Sequence, residues 1–435
     1  MNPEGEPNRS PQRERWRDGQ IDDATRRWLD EDERYFLHQA LSTPCLDVLA
    51  RAEGSWIEDL QGRRFLDFHG NNVHHVGFAN PCVIQAIARQ MSELSFCTRR
   101  YTNLPAIRLA KKLAEIAPGR LNKVLLAPGG TSAVGMALKL ARAATGRFKT
   151  ISLWDSFHGA SLDAISISGE DIFRRGMEPL LPGALHVPPP DPAQCPWGCG
   201  GECSCRCAEY VEYVMRREGD IGAVIVETVR ATSLIPPRRY LEILRQACDR
   251  HGALLIFDEI PHALGRTGRM FTCENFGVAP DLLLIGKALG GGIFPLAALI
   301  AREDLDIAGD SALGHYTHEK NPVACAAALA AIAYIEEHRL ADRARELGEY
   351  ALECLRDLQR RYPAIRAVRG LGLLLGVELD DPVRAERVMY GSLERGLSFK
   401  VTMGRILTLT PPLTVTREEL DLAIGIVGEA LASSA

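Results

Sequence analysis

The sequence predicts an α/β protein, with a large domain on a mainly parallel sheet and a smaller α+β domain after it. Aliphatic runs of strand length recur between residues 123 and 286: "KVLLAP", "KTISLW", "IGAVIVE", "ALLIFDE" and "DLLLIG". Helical stretches such as "SAVGMALKLARAA" separate most of them. Continuous apolar strands between helices belong to sheets covered on both faces. At 435 residues and 46% apolar composition the chain can also fill a core larger than one small domain.

The elements follow in order. Residues 1–18 are polar and rich in Pro, Arg and Glu, which predicts disorder. "DDATRRWLDEDERYFLHQAL" has the apolar spacing of an amphipathic helix, and "WIEDLQGRRFLDFHG" alternates like a hairpin. From about residue 100 the strand and helix runs alternate, until the Ala-rich helix "NPVACAAALAAIAYIEEH" leaves the block. Strands near "GLLLGVEL" and "ILTLTPPL" then mark the α+β part. The expected division is 1–70 (tail, helix and hairpin packing with the small domain), 71–325 (large domain) and 326–435 (small domain).

A net charge of −5 offers no basic field for nucleic acid or an anionic membrane, so neither partner is expected. No run reaches the roughly 18 apolar residues of a membrane span. The N-terminus lacks the apolar stretch of a signal peptide, so the expected location is cytoplasmic. Five of the twelve cysteines crowd into "CPWGCGGECSCRC" (195–207). The spacing lacks the paired C-x-x-C knuckles of most zinc sites, so the expectation is no metal and a reduced loop closing on itself.

Three strand ends carry chemistry. "APGGTSAVGMALKLARAATGR" places two glycines and Thr131 between a strand and a helix, where bare N–H groups and the positive helix end suit a phosphate. Asp258 ends an apolar strand in "ALLIFDE", where a carboxylate is costly without a cation or a protonated ligand. Lys287 follows "DLLLIG"; an amine desolvated there stays partly unprotonated and can attack a carbonyl, or it can pair with a carboxylate such as Asp258. A phosphate site, a buried carboxylate and a carbonyl-seeking lysine together are the grips that pyridoxal 5′-phosphate requires. Phe157, in "SFHGAS", is a candidate for stacking on its ring.

Over nearly all of residues 40–430 the sequence resembles the class III aminotransferases of pyridoxal-phosphate fold type I. The resemblance rests on "GGTSAVGMALKLARAATGR", "FHGAS", "VIVET", "LLIFDEIPHALGRTGRMF", "PDLLLIGKALGGGIFPLAALI", "THEKNPVACAAALA" and "VRGLGLLLGVEL". It implies a mainly parallel seven-stranded sheet, Lys287 as the lysine that bonds the cofactor aldehyde, and Asp258 as partner of the ring nitrogen. It further implies Ile260 and Phe157 on the two ring faces, His158 and Glu227 beside the cofactor, and Gly130 and Thr131 on its phosphate. Thr317 of the partner subunit would assist, since these enzymes build each site across a homodimer.

Departures from the family pattern bear on the reaction. Members that use 2-oxoglutarate bind its second carboxylate with an arginine before the C-terminal proline pair, and neutralise that arginine with a glutamate. Here Thr408 and Thr232 stand at those places, and Arg230 replaces a neighbouring glutamine. Pro261 replaces the glutamine that hydrogen-bonds the cofactor's phenolic oxygen, and Lys320 replaces a glycine. Arg230 is either an anion clamp or an ion-pair partner, and Lys320 either an anion contact or a solvated lysine. "FHGNNVHHVGF", the cysteine-rich segment and "HYTHEKNP" resemble family members that eliminate ammonia from short amino-alkyl phosphonates. On that resemblance Asn72, His74 and His75 line the pocket of a phosphonate-bearing amine, and the alternative is an ω-aminotransferase.

Overall fold

The computed structural model describes residues 8–199 and 203–434. The chain forms two compact units, one of residues 81–342 and one of residues 1–80 with 343–435.

In the unit of residues 81–342, seven strands form one sheet in the order Leu121–Ala127, Ala297–Arg302, Leu282–Ile285, Leu254–Asp258, Ile221–Glu227, Lys149–Leu153, Ala184–Val187. Ala297–Arg302 runs antiparallel to both its neighbours, and the remaining pairs are parallel. Every residue of the strands ending at Glu227, Asp258 and Ile285 is buried, as strands covered on both faces must be. The helix Gly130–Thr145 lays Ala133, Val134, Ala137 and Ala141 against this core, small residues that allow close approach to the sheet. Gly146 ends that helix in the left-handed conformation that glycine adopts without penalty.

The helix Pro322–Glu337 starts at Asn321, whose side chain accepts from Ala324 N, with Pro322 in the first turn. It packs on the helices Pro81–Glu93 and Leu104–Ile116. It therefore counts with the large unit, and the division falls at 342/343 where the sequence placed it at 325/326.

The unit of residues 1–80 and 343–435 joins the two chain ends. The hairpin Trp56–Asp59 and Arg64–Asp67 pairs with Leu49–Glu53 on one side and, in parallel, with Leu397–Ser398 on the other. A second sheet, antiparallel throughout, runs Ile365–Leu371, Leu374–Leu379, Ile406–Leu409, Lys400–Thr402. Glu419 links the ends chemically: its carboxylate accepts from Ser55 Oγ and Trp56 Nε1 while closing a capping box with Thr416.

The expected disorder of residues 1–18 is corrected in part. Residues 1–7 lie outside the described residues, but Pro11–Gln20 is helical, capped by Ser10. Its single large apolar side chain, Trp16, is only 3% exposed and meets Phe65 and Tyr390, with the Arg63 guanidinium 5.2 Å from its ring. One buried indole outweighs a polar composition, which is why composition misled.

Candidate active site

The parallel register gathers the chemistry of the large unit at one end of its sheet. Glu227 pairs with Asp258, and Asp258 with Leu284, so two carboxylates end adjacent strands three residues from Lys287 on the next. Such strand ends are where sheets of this class hold ligands.

Asp258 is 2% exposed and well held. Its Oδ2 lies 2.8 Å from His158 Nδ1 and its Oδ1 accepts from Ile260 N at 3.1 Å. A carboxylate only accepts, so the imidazole hydrogen sits on Nδ1. Each oxygen keeps a second lone-pair direction for a protonated ring nitrogen. His262, fully buried, feels both reaction groups: burial pushes its pKa down to about 4, Asp258 raises it and Lys287 lowers it.

Lys287 has φ +46, a conformation a side chain occupies at a cost of roughly 1 kcal/mol or more. Gly286 precedes it, and a Cβ there would meet Ile260 at 3.2 Å. Gly130 also faces Ile260: a Cβ on it would come within 3.0 Å of Ile260 Cδ1. Glycine at both places lets the Ile260 side chain pack closely against the two turns.

The glycine turn lies between a strand and a helix, where the sequence places it. Gly130 opens a 16-residue helix whose first N–H groups have no partner within the helix. Thr131 Oγ1 lies 2.6 Å from Ser161 Oγ and accepts from Ser161 N. A Cβ at Gly159, φ +127, would collide with Thr131, so that turn demands glycine. Ser161 was not singled out in the sequence; its place in "FHGAS" was the available signal.

Around these lie the other predicted residues. Phe157 is half-buried, its ring 4.5 Å from that of Phe173, and its N–H donates to Glu227 Oε1. Arg230 is buried, its Nε 3.7 Å from Glu227 Oε1, which is the ion-pair arrangement. Thr232 is buried on the same turn. Thr317 and Lys320 are exposed just before the helix Pro322–Glu337. Lys320 has φ +40 and its carbonyl accepts from Asn103 Nδ2.

Asn72, His74 and His75 belong to the other unit, where all three are buried. His74 Nε2 bonds the Asp67 carbonyl and its ring lies 5.0 Å from Phe78; the His75 carbonyl accepts from Leu413 N. Thr408, also in that unit, shares a 2.7 Å hydroxyl contact with Thr402, both shielded from solvent.

One buried network went unread in the sequence. Glu259, beside Asp258, accepts from Thr228 Oγ1, Thr272 N and Cys273 N. Burial pushes its carboxyl up to about 7. Among the described residues no group of three or more His, Cys, Asp or Glu is arranged to hold a metal ion, and no helix is long and apolar enough to cross a membrane.

The pairing of Asp258 with His158, the glycine turn that opens a helix and Lys287 at the neighbouring strand end fit pyridoxal 5′-phosphate. Comparisons with known proteins agree. The aminotransferase class-III family model matches residues 38–431. The (R)-1-hydroxy-2-aminoethylphosphonate ammonia-lyase of Vibrio splendidus is 46% identical, the match covering 99% of this chain and 95% of that one. The acetylornithine aminotransferase of Methanopyrus kandleri is 37% identical over 89% of this chain and 95% of its own. The PLP-bound structure of an amine transaminase from an uncultivated Pseudomonas species superposes with a TM-score of 0.87 at 31% identity, covering 92% of this chain and 99% of that one. The chain belongs to the class III aminotransferase family and is an enzyme dependent on pyridoxal 5′-phosphate.

Proposed function

We propose that this enzyme releases ammonia from a short aminoalkylphosphonate, with (R)-1-hydroxy-2-aminoethylphosphonate as the substrate and phosphonoacetaldehyde as the organic product. The observation that carries the lyase reading is the pair of threonines at the two places of the family's carboxylate switch. Thr408 spends its hydroxyl on Thr402, and Thr232 is buried without charge. Neither carries the charge that would pair with, or neutralise the partner of, the second carboxylate of a dicarboxylic acceptor. The 46% identity to an ammonia-lyase across 99% of the chain supports the same reading.

Bound pyridoxal phosphate supplies an aldehyde for the substrate amine and a protonated ring that draws electrons from the neighbouring carbon. Asp258 holds the ring-nitrogen proton, and His158 fixes the carboxylate for that task. Gly130 and Thr131 seat the phosphate, while Ile260 and Phe157 confine the ring. Lys287 first anchors the cofactor, then takes the proton from the amine-bearing carbon as general base. Hydroxide leaves the adjacent carbon, and the enamine product takes up water and divides into aldehyde and ammonia. No keto acid enters. Lys320 supplies positive charge for the phosphonate, whereas Arg230 is engaged with Glu227. The enzyme works in the cytoplasm as a homodimer, Thr317 of the partner subunit completing each phosphate seat.

The second reading is an ω-aminotransferase, favoured by the 37% identity to an aminotransferase and by the likeness to amine transaminases. Ammonia release from 1-hydroxy-2-aminoethylphosphonate without any keto acid decides between them. Silence in that assay, together with turnover of an amine plus pyruvate, would replace the lyase by the transaminase. Lys287→Ala is expected to lose the covalent cofactor absorbance and at least about 10²-fold in rate.

A further inference from the structure

The cysteine-rich segment takes no part in that reaction, yet its geometry is specific. It lies between the short turn Pro192–Gln194 and the helix Arg206–Glu218. Gly198, at φ +67, donates its N–H to the Cys195 carbonyl at 3.0 Å and turns the chain back on itself. The turn brings Cys195 Sγ to 3.1 Å from Cys199 Sγ, and Ser204 Oγ lies 3.1 Å from the same Cys199 sulfur. Residues 200–202 lie outside the described residues.

We propose that Cys195 and Cys199 are a reversible dithiol–disulfide pair, a modification site that exchanges with small-molecule disulfides.

All the cysteines are free thiols, and exposure sorts those in this segment. Cys195, Cys199 and Cys203 are partly exposed, whereas Cys205 and Cys207 are buried at the start of the helix. Ionisation sets Cys199 apart from the buried pair. Hydrogen bonds from Ser204 and Cys195 bring the Cys199 thiol down to about 7, while burial pushes Cys205 up to about 11 and Cys207 higher still. A reactive thiol needs both access and thiolate character, and Cys199 has both. The close approach of the two sulfurs, 3.1 Å, is the chemistry on offer.

The exchange balances. Cys199 thiolate attacks one sulfur of a disulfide RSSR, forms a mixed disulfide and expels RS⁻. Cys195, after losing its proton to solvent, attacks the Cys199 sulfur and expels the second RS⁻. Two protein thiols are oxidised and one RSSR is reduced to two RSH. The two sulfurs need approach by only about 1 Å to reach a bond length near 2.05 Å.

The test uses the reduced holoenzyme in buffers of graded oxidised to reduced glutathione, quenched with an alkylating reagent and mapped by mass spectrometry. The expected product is a Cys195–Cys199 link that dithiothreitol reverses, with Cys207 alkylated only after denaturation. At pH 7 and without oxidant, Cys199 should alkylate at least about 10-fold faster than Cys207. Cys195→Ser should stop at a glutathione adduct on Cys199. A link from Cys199 to Cys203, no link even in fully oxidised glutathione, or thiols shielded by a co-purifying metal would each overturn the proposal. Mapping of the unmutated protein decides the matter even if the variant misfolds.

Discussion

His158 Nδ1 lies 2.8 Å from Asp258 Oδ2 although the two residues are 100 positions apart, and solvent reaches neither side chain appreciably. The contact exists because the strand before His158 and the strand ending at Asp258 both flank Ile221–Glu227. Removing the imidazole leaves a buried carboxylate with one partner fewer. His158→Ala is expected to weaken cofactor affinity by about 10- to 100-fold, the range for a hydrogen bond to a charged group. His158→Asn, which can still donate, should recover part of it. Titrating the apoenzyme with pyridoxal phosphate by absorbance measures both, and unchanged affinity in the alanine variant would remove His158 from its positioning role.

Lys320 sets backbone comfort against charge. At φ +40 it occupies a conformation glycine prefers. Lys320→Gly should therefore leave stability unchanged or raise it by up to about 1 kcal/mol, while raising KM for the phosphonate substrate. Thermal unfolding and steady-state kinetics read the two signs separately. A KM that does not move would make Lys320 a solvated surface residue.

Glu259 predicts a pH dependence of stability. Its folded pKa, about 7, lies above the ordinary 4.5 because burial disfavours the charge. The folded state then holds more protons than the unfolded one between these values. Its contribution to stability is full below about 4.5, falls as pH rises towards 7, and is level above. Glu259→Gln should flatten that slope in urea midpoints measured from pH 4.5 to 8. An identical slope in the variant would assign the dependence to other groups.

Trp16 anchors the first helix. Trp16→Ala is expected to cost about 3 kcal/mol and to open residues 11–20 to proteolysis, because Phe65, Tyr390 and Arg63 lose their shared neighbour. Trp16→Phe should keep most of the protection. Limited proteolysis followed by N-terminal sequencing distinguishes the two.

Much of the fold was legible because its strands are continuous aliphatic runs and its helices begin with recognisable signals, such as Pro322 after Asn321. The helix Pro11–Gln20 was not, since one tryptophan in a charged stretch carries no periodicity. The carrying of Glu259 by Thr228, Thr272 and Cys273 was equally hidden, because backbone donors leave no mark on a sequence.

What the sequence by itself determined is the set of local commitments. These are apolar strands that must be buried, a glycine turn that frees N–H groups at a helix start, and a lysine and an aspartate at strand ends. What only the tertiary structure decided is which of these meet. Strand order and register put Glu227, Asp258 and Leu284 side by side, brought His158 to Asp258, and paired Thr408 with Thr402. The physical reason is that pairing between strands dozens of residues apart is set by packing of whole faces, which no local stretch encodes.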